Sequence, residues 1–190
     1  MTRSGSGKGF RKRWRYPVNA AEGSLVTFHL TCPYQGSGYT GGMADTTTQG
    51  VVEDWVRDTW MPANLGQPFT KAGARLSAGG QFEFDGVSAD RTTVACISTS
   101  RHKTSGGGNG TGKWFKLRSD ILYLLMADGV TRRLMVLTEP CMFEHYKEEQ
   151  SKGRVPSEVE AVLAELPAEL RDRLAVARER ASEEVRPVQR

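Results

Sequence analysis

The stretch QFEFDGVSADRTTVACISTS, residues 81–100, predicts a β-hairpin around which the rest of the fold is arranged. Its first half alternates in polarity: Phe82 and Phe84 share one face of a strand, and Glu83 and Asp85 share the other. SADR supplies the turn, and TTVACIST is apolar and nearly continuous, which is typical of a central strand buried on both faces.

The flanking sequence alternates between helical and strand patterns. TTTQGVVEDWVRDTW (46–60) predicts a helix that begins at a capping threonine and ends at Pro62. A helix, a buried strand and a short helix follow the hairpin, in KWFKLRSDILYLLMADG (113–129), RRLMVLTEP (132–140) and MFEHYKEEQ (142–150). The predicted buried stripe of the first of these helices is Trp114, Leu117, Ile121, Leu124 and Leu125. This order predicts an α/β fold with a mixed central sheet flanked by helices.

Two terminal segments flank the predicted core at 23–150. The arm at 1–22 has six Lys and Arg and no acid in its first 16 residues, whereas the whole chain has a net charge of +4. This composition is typical of a nucleic-acid-binding arm, in which aromatic residues are interleaved with Arg11, Arg13 and Arg15. It is equally typical of a solubilising tail. Residues 151–190 predict a helical C-terminal appendage, which either packs on the body, stays solvated, or binds a protein partner or a second copy in a homodimer.

Cysteine and hydropathy patterns limit the class of protein. The three cysteines are widely spaced and form no CxxC pair, which argues against a disulfide framework and a structural zinc site. No run of about 18 apolar residues is present, so we expect no membrane span. The basic N-terminus lacks the apolar stretch of a secretory signal. These features favour a cytoplasmic location.

The glycine-rich stretch GGGNGTGKWFK (106–116) has the spacing of a phosphate-binding P-loop. Trp114, however, stands where a P-loop needs a hydroxyl group to hold Mg²⁺, which argues against nucleotide hydrolysis. The segment is either a simple flexible connection or a site for polynucleotide phosphates, and we expect the loop from about Lys103 to Gly112 to be mobile without ligand. Its cations favour the second alternative: Arg101, Lys103, Lys113 and Lys116.

The region from Glu53 to Pro140 resembles the PD-(D/E)XK restriction-endonuclease-like superfamily, whose core runs helix, three-stranded meander, helix, strand. The resemblance implies a restriction-endonuclease-like core. Asp85 matches the family's metal-binding aspartate, and Glu53 matches the additional glutamate of the preceding helix. Cys96 and Ser98 stand where the family has an acid and, two residues later, a lysine.

The resemblance implies a DNA-interacting protein, a Mg²⁺-dependent DNA endonuclease of restriction or phage defence with a divergent active site. In one interpretation the site is rebuilt, with a carboxylate from Glu83, Glu53 or Asp120 and an ammonium group from Lys103, Lys113 or Lys116. In the other it is inactive, and the domain only binds nucleic acid or a protein. The candidate catalytic residues are Asp85, Glu53, Ser98, Lys103 and Lys113, and the candidate metal ligands are Asp85, Glu53 and Glu83.

Overall fold

The computed structural model describes residues 47–103 and 110–184, with the side chains of 182–184 left aside. All of these residues belong to one compact unit, Gly41–Arg190. The basic arm and residues 104–109 of the glycine-rich stretch lie outside the described residues. What the sequence predicts for them stays a prediction.

A five-stranded mixed sheet forms the centre of this unit. The strands lie in chain order, and they are β1 (Phe69–Arg75), β2 (Gln81–Ser88), β3 (Thr93–Ser98), β4 (Arg132–Leu137) and β5 (Val159–Leu163). The pairs β1–β2 and β2–β3 are antiparallel, whereas β3–β4 and β4–β5 are parallel. The predicted α/β class and mixed sheet are therefore confirmed.

Helices cover both faces of the sheet. They are α1 (Thr47–Trp55), α2 (Met61–Leu65), α3 (Thr111–Met126), α4 (Pro140–Ser151) and α5 (Ala168–Glu184), and a π-helical turn at Val56–Trp60 joins α1 to α2. Among the described residues, no helix is both long and apolar enough to cross a membrane.

The central strand β3 separates two hydrophobic clusters. Val94 and Cys96 belong to the cluster that contains Leu117 of α3 and Tyr146 of α4, and we call this side the α3–α4 face. Ala95 and Ile97 belong to the cluster that contains residues of α1 and α5, including Val52 and Leu174, and this is the α1–α5 face. Every residue of β3 is buried, as its apolar sequence predicts.

The predicted hairpin is confirmed. Asp90 closes its turn, because its carboxylate accepts hydrogen bonds from Ser88 Oγ at 2.6 Å and from the Thr92 backbone amide at 3.0 Å. Phe82 and Phe84 both pack in the α3–α4 cluster. The predicted stripe of α3 is correct except at Leu125, which is 36% exposed.

The prediction that the first helix ends at Pro62 is wrong. In the π-turn the Met61 backbone amide donates to Val56 O, five residues back, and the chain continues helically to Leu65. Pro62 therefore lies in the first turn of α2, where its missing N–H group and fixed φ are tolerated. Gly66, at φ 76°, ends this helix in a left-handed conformation.

The prediction that the C-terminal segment is entirely helical is wrong for 159–163. These residues form β5, which pairs in parallel with β4 from Arg133↔Val159 to Leu137↔Leu163. The backbone N–H and C=O groups on the open edge of β4 need partners, and this pairing overrides the helical composition of the segment. The sheet thus extends past residue 150, and Leu174 of α5, at 0% exposure, is part of the core.

Candidate functional site

A gap between β2 and β3 positions Asp85. The two strands pair only at Gly86↔Ala95 and Val87↔Val94, although β2 begins at Gln81. They separate on the N-terminal side of Gly86, and the carboxylate of Asp85 lies at the separation. There it accepts a hydrogen bond of 2.8 Å from the Ile97 backbone amide. Asp85 thus takes the place of a main-chain acceptor, and one of its oxygens is committed to the sheet.

Glu53 approaches the same gap from α1. Burial raises the pKa of its carboxyl group, and the negative charge of Asp85 raises it further, while Lys116 and Lys71 act in the opposite direction. Two carboxylates from different elements therefore interact across the gap. A glutamate with a raised pKa exchanges protons closer to neutral pH than an ordinary glutamate does.

Lys116 and Asp120 bring an ion pair from α3. The two residues are one helical turn apart, and the distance from Lys116 Nζ to Asp120 Oδ2 is 2.8 Å. The side chain of Asp120 is 12% exposed, whereas that of Lys116 is 65% exposed. Burial raises the pKa of Asp120, and Lys116 partly offsets this effect. Burial also opposes the charged form of Lys116, but the hydrogen bond and charge of Asp120 and the charge of Asp85 outweigh it, and its pKa is raised. Lys116 is therefore a cation held beside two carboxylates.

Cys96 lies among these charged groups and is 2% exposed. Burial raises the pKa of its thiol, and Asp120 and Asp85 raise it further, so the thiol is neutral. The side chain packs in the α3–α4 cluster, as expected of a buried apolar filler. Cys96 therefore contributes hydrophobic packing at this position of β3, and the charged groups beside it that come from α3 are Asp120 and Lys116.

We name Glu53, Asp85, Lys116 and Asp120 the gap cluster. Its members come from α1, β2 and α3, and Glu53, Lys116 and Asp120 each interact electrostatically with Asp85. Among residues 47–103 and 110–184, however, no group of three or more His, Cys, Asp or Glu is arranged to hold a metal ion. Asp85 accepts a hydrogen bond from the Ile97 amide, and Asp120 accepts one from Lys116. The carboxylates are therefore not arranged together as ligands for a cation.

The remaining predicted site residues in the described ranges lie elsewhere or differ in environment. Glu83 is exposed and pairs with Lys71 at 3.3 Å. Ser98 is buried, and its hydroxyl oxygen accepts a hydrogen bond from the Ser100 amide at 3.4 Å. Lys103 is exposed. Of the proposed lysines, the structure thus brings Lys116 to the gap cluster, whereas Lys113 interacts with the charges of Arg178 and Arg101. Arg11, Arg13 and Arg15 lie outside the described residues.

Sequence reasoning missed a second charged group, at the carboxyl ends of β3 and β4. Glu139 accepts hydrogen bonds from Arg101 at 3.1 Å and from Arg178 of α5 at 2.7 Å. Only Arg101 was among the sequence candidates. Glu139 lies two residues after the end of the buried strand β4, which was the available signal for it, but nothing local marks Arg178.

Comparison of the chain with protein-family models, with curated proteins and with solved structures gives no match. The features that bear on function are therefore the geometry of the gap cluster and the order of the elements.

We predict that Glu53→Gln stabilises the protein at neutral pH by about 0.5–1 kcal/mol, a usual gain when an unfavourable charge is removed. Because the pKa of Glu53 is raised by folding, the folded state takes up a proton at a higher pH than the unfolded state does. The stability linked to this group therefore rises as the pH falls through the folded pKa. Thermal melts at several pH values should show the advantage of Glu53→Gln near pH 7 and its loss on acidification.

Glu144→Gln is the matched control for this measurement, because it makes the same charge change on the exposed surface of α4. It should leave the melting temperature close to that of the parent. A Glu53→Gln variant that is less stable than the parent at neutral pH would show that the ionised carboxylate supports the fold.

Proposed function

We propose that this chain is a DNA-interacting protein of the restriction-endonuclease-like superfamily and hydrolyses phosphodiester bonds at the gap cluster. The order of its elements supports this proposal, because α1, the meander β1–β2–β3, α3 and the parallel strand β4 follow the core of that superfamily. A role in restriction or phage defence belongs to the same proposal.

One observation carries the proposal: Glu53, Asp85, Asp120 and Lys116 interact from three elements at the point where β2 and β3 separate. Partly buried carboxylates held close together are unfavourable for folding even where a lysine partly offsets their charge, and such arrangements occur where chemistry requires shifted pKa values. Asp85 corresponds to the aspartate that the superfamily places on this strand. Lys116 and Asp120 supply from α3 the ammonium group and the acid that β3 lacks.

The cluster offers distinct roles for its members. Lys116 is largely exposed, so its ammonium group can contact a phosphoryl oxygen and stabilise the charge that develops on it during hydrolysis. Glu53, with its raised pKa, is suited to transfer a proton to or from water or the leaving oxygen. Asp85 and Asp120 hold the lysine in a fixed electrostatic environment. We assign no step to Mg²⁺, because the described carboxylates do not form a metal site by themselves.

The test is cleavage of supercoiled plasmid DNA by the purified protein with Mg²⁺, with Mn²⁺ and with EDTA. Cleavage by the parent and its loss in Lys116→Met support the proposal, and the EDTA sample shows whether a divalent cation is required. Lys147→Met, on the exposed part of α4, is the matched control and should cleave like the parent. Absence of cleavage under every condition would contradict the catalytic proposal.

A second candidate is a nucleic-acid-binding or protein-interaction module without catalysis. Cys96 and Ser98, in place of the superfamily's acid and lysine, favour this alternative. A nucleic-acid-binding module would bind DNA without cleaving it in any cation tested, and a protein-interaction module would neither bind nor cleave it.

The catalytic proposal and its nucleic-acid-binding alternative both predict salt-dependent binding of DNA through the basic residues. The triple variant Lys103→Ala, Lys113→Ala, Lys116→Ala should bind DNA more weakly and lower the slope of log affinity against log salt by about two to three units, because each lysine that neutralises a phosphate releases counterions. Fluorescence anisotropy over a range of salt concentrations measures the slope. If the triple variant binds like the parent, the arm at 1–22 becomes the leading DNA-binding segment.

A further inference from the structure

A second group of charges lies where β3 and β4 end. Glu139 follows β4 and is 7% exposed. Its Oε2 accepts a hydrogen bond from Arg101 and its Oε1 accepts one from Arg178, so both carboxylate oxygens are in use. Arg178 also donates to the Thr99 backbone carbonyl, which fixes α5 to the end of β3.

Lys113 adds a third cation to this group. Burial lowers the pKa of its ammonium group, and the positive charges of Arg178 and Arg101 lower it further. Lys113 forms no ion pair within the described part of the chain, and the nearby carboxylate of Glu139 is already shared by the two arginines. Three cations and one carboxylate leave a net charge of +2 in a partly buried place.

Two helices begin beside these side chains. The N-cap residues of α3 and α4 are Gly110 and Glu139, and neither makes a side-chain capping hydrogen bond. Gly110 lies close against the chain, because a Cβ atom there would be 2.7 Å from the His102 carbonyl oxygen and 3.1 Å from Lys113 Cδ. The stem of Lys113 therefore passes directly over the start of α3. Helix N-termini favour anions, so they add to the field of the three cations.

Thr138 supplies an independent sign that a ligand group belongs here. Its side-chain hydroxyl is buried, with the residue 5% exposed, and has no hydrogen-bond partner within the described part of the chain. Leu134 and Val136 belong to the α1–α5 cluster, so strand alternation places Thr138 toward α5, on the side where Arg178 lies. Buried hydroxyl groups are normally paired, and an unpaired one is a place where a polar ligand atom is expected.

We propose that Arg101, Lys113, Arg178 and Thr138 form a binding site for a phosphate monoester. A monoester carries close to two negative charges at neutral pH and has three terminal oxygens, which match the charge of +2 and the available donors. Glu139 holds the two arginines in place and is not itself a ligand. The carboxyl ends of parallel strands are also the usual position of ligands in α/β sheets. This site is independent of the hydrolysis proposed at the gap cluster.

Calorimetric titration of the full chain without DNA tests the proposal. The probes are inorganic phosphate, adenosine 5′-monophosphate, adenosine 3′,5′-cyclic monophosphate and adenosine. We expect the first two to bind and the cyclic diester, with one charge fewer, to bind more weakly. Tighter binding of the nucleotide than of phosphate identifies a nucleotide as the source, and equal binding identifies the phosphate group alone. A cyclic diester that binds as tightly as the monoester, or no binding of any probe, overturns the proposal.

Two variants locate the binding. Lys113→Ala should weaken phosphate affinity about tenfold, the range of one charge-assisted contact, without unfolding the protein because Lys113 makes no ion pair within the described residues. Lys147→Ala is the control of equal charge and should bind like the parent. Thr138→Val should raise the melting temperature of the ligand-free protein, because it removes an unpaired buried hydroxyl, while weakening phosphate binding. Phosphate binding at the parent's affinity in either Lys113→Ala or Thr138→Val overturns the proposed site.

Discussion

Asp85→Asn is expected to reduce phosphodiester cleavage by about 10²–10³-fold, the range found when one catalytic electrostatic group is removed. The substitution removes the negative charge that acts on both Glu53 and Lys116. It retains an oxygen that can accept the hydrogen bond from the Ile97 amide, so the sheet keeps its geometry. The measurement is the initial rate of plasmid cleavage, together with a thermal melt that shows the fold to be intact.

Two companion variants separate charge from structure. Asp85→Ala removes the acceptor as well as the charge and leaves the Ile97 amide without its partner, which should cost about 1–3 kcal/mol of stability. Glu83→Gln makes the same charge change on the same strand, at an exposed ion pair with Lys71, and should cleave like the parent. If Asp85→Asn cleaves at the parental rate, Asp85 serves only to bridge β2 and β3, and the gap cluster is not the catalytic site.

Glu139→Gln is expected to lower the free energy of unfolding by about 2–3 kcal/mol, somewhat less than the usual loss when a fully buried ion pair is broken, because the arginines are partly solvated. Glu139 is the carboxylate that joins Arg101 to Arg178, and its removal leaves those two cations and Lys113 facing one another. Chemical denaturation at low ionic strength measures the loss.

Glu160→Gln provides the comparison, because it breaks an Arg–Glu pair of similar length, 2.9 Å to Arg132, that is half-exposed. Its effect should stay within about 1 kcal/mol, the range of surface ion pairs. If both variants lose the same free energy of unfolding, the ion pairs of Glu139 stabilise the contact between α5 and the sheet no more than a surface ion pair does.

The elements that the sequence predicted well are those whose pattern is local. The alternation at 82–85 and the apolar run at 92–99 indicate their own burial, and the structure confirms both strands. β5 was missed because VEAVL lies in a segment rich in Ala, Glu, Arg and Leu, which favours helix. The cause of its strand conformation, the open edge of β4, lies more than 20 residues away in the chain.

The candidate site shows the same division. Asp85 and Glu53 followed from the resemblance, and the structure places them in one electrostatic group. The sequence left three lysines open, and only the geometry of α3 connects Lys116 with Asp85 and Asp120. Arg178 was not predictable, since it joins Glu139 across 39 residues and nothing distinguishes it in the sequence from the neighbouring Arg173 and Arg180.

The strand order of the sheet equals the order of the strands along the chain. The antiparallel strands β1, β2 and β3 can therefore pair soon after each is made, whereas the parallel pairs β3–β4 and β4–β5 must wait for the helices α3 and α4 that separate their strands. The α1–α5 face waits longest, because Val52 of α1 shares its cluster with Leu174 of α5. The growing chain thus carries an uncovered apolar surface on α1 until α5 has been made. An incomplete chain that stops before α5 would keep that surface exposed and be prone to aggregation.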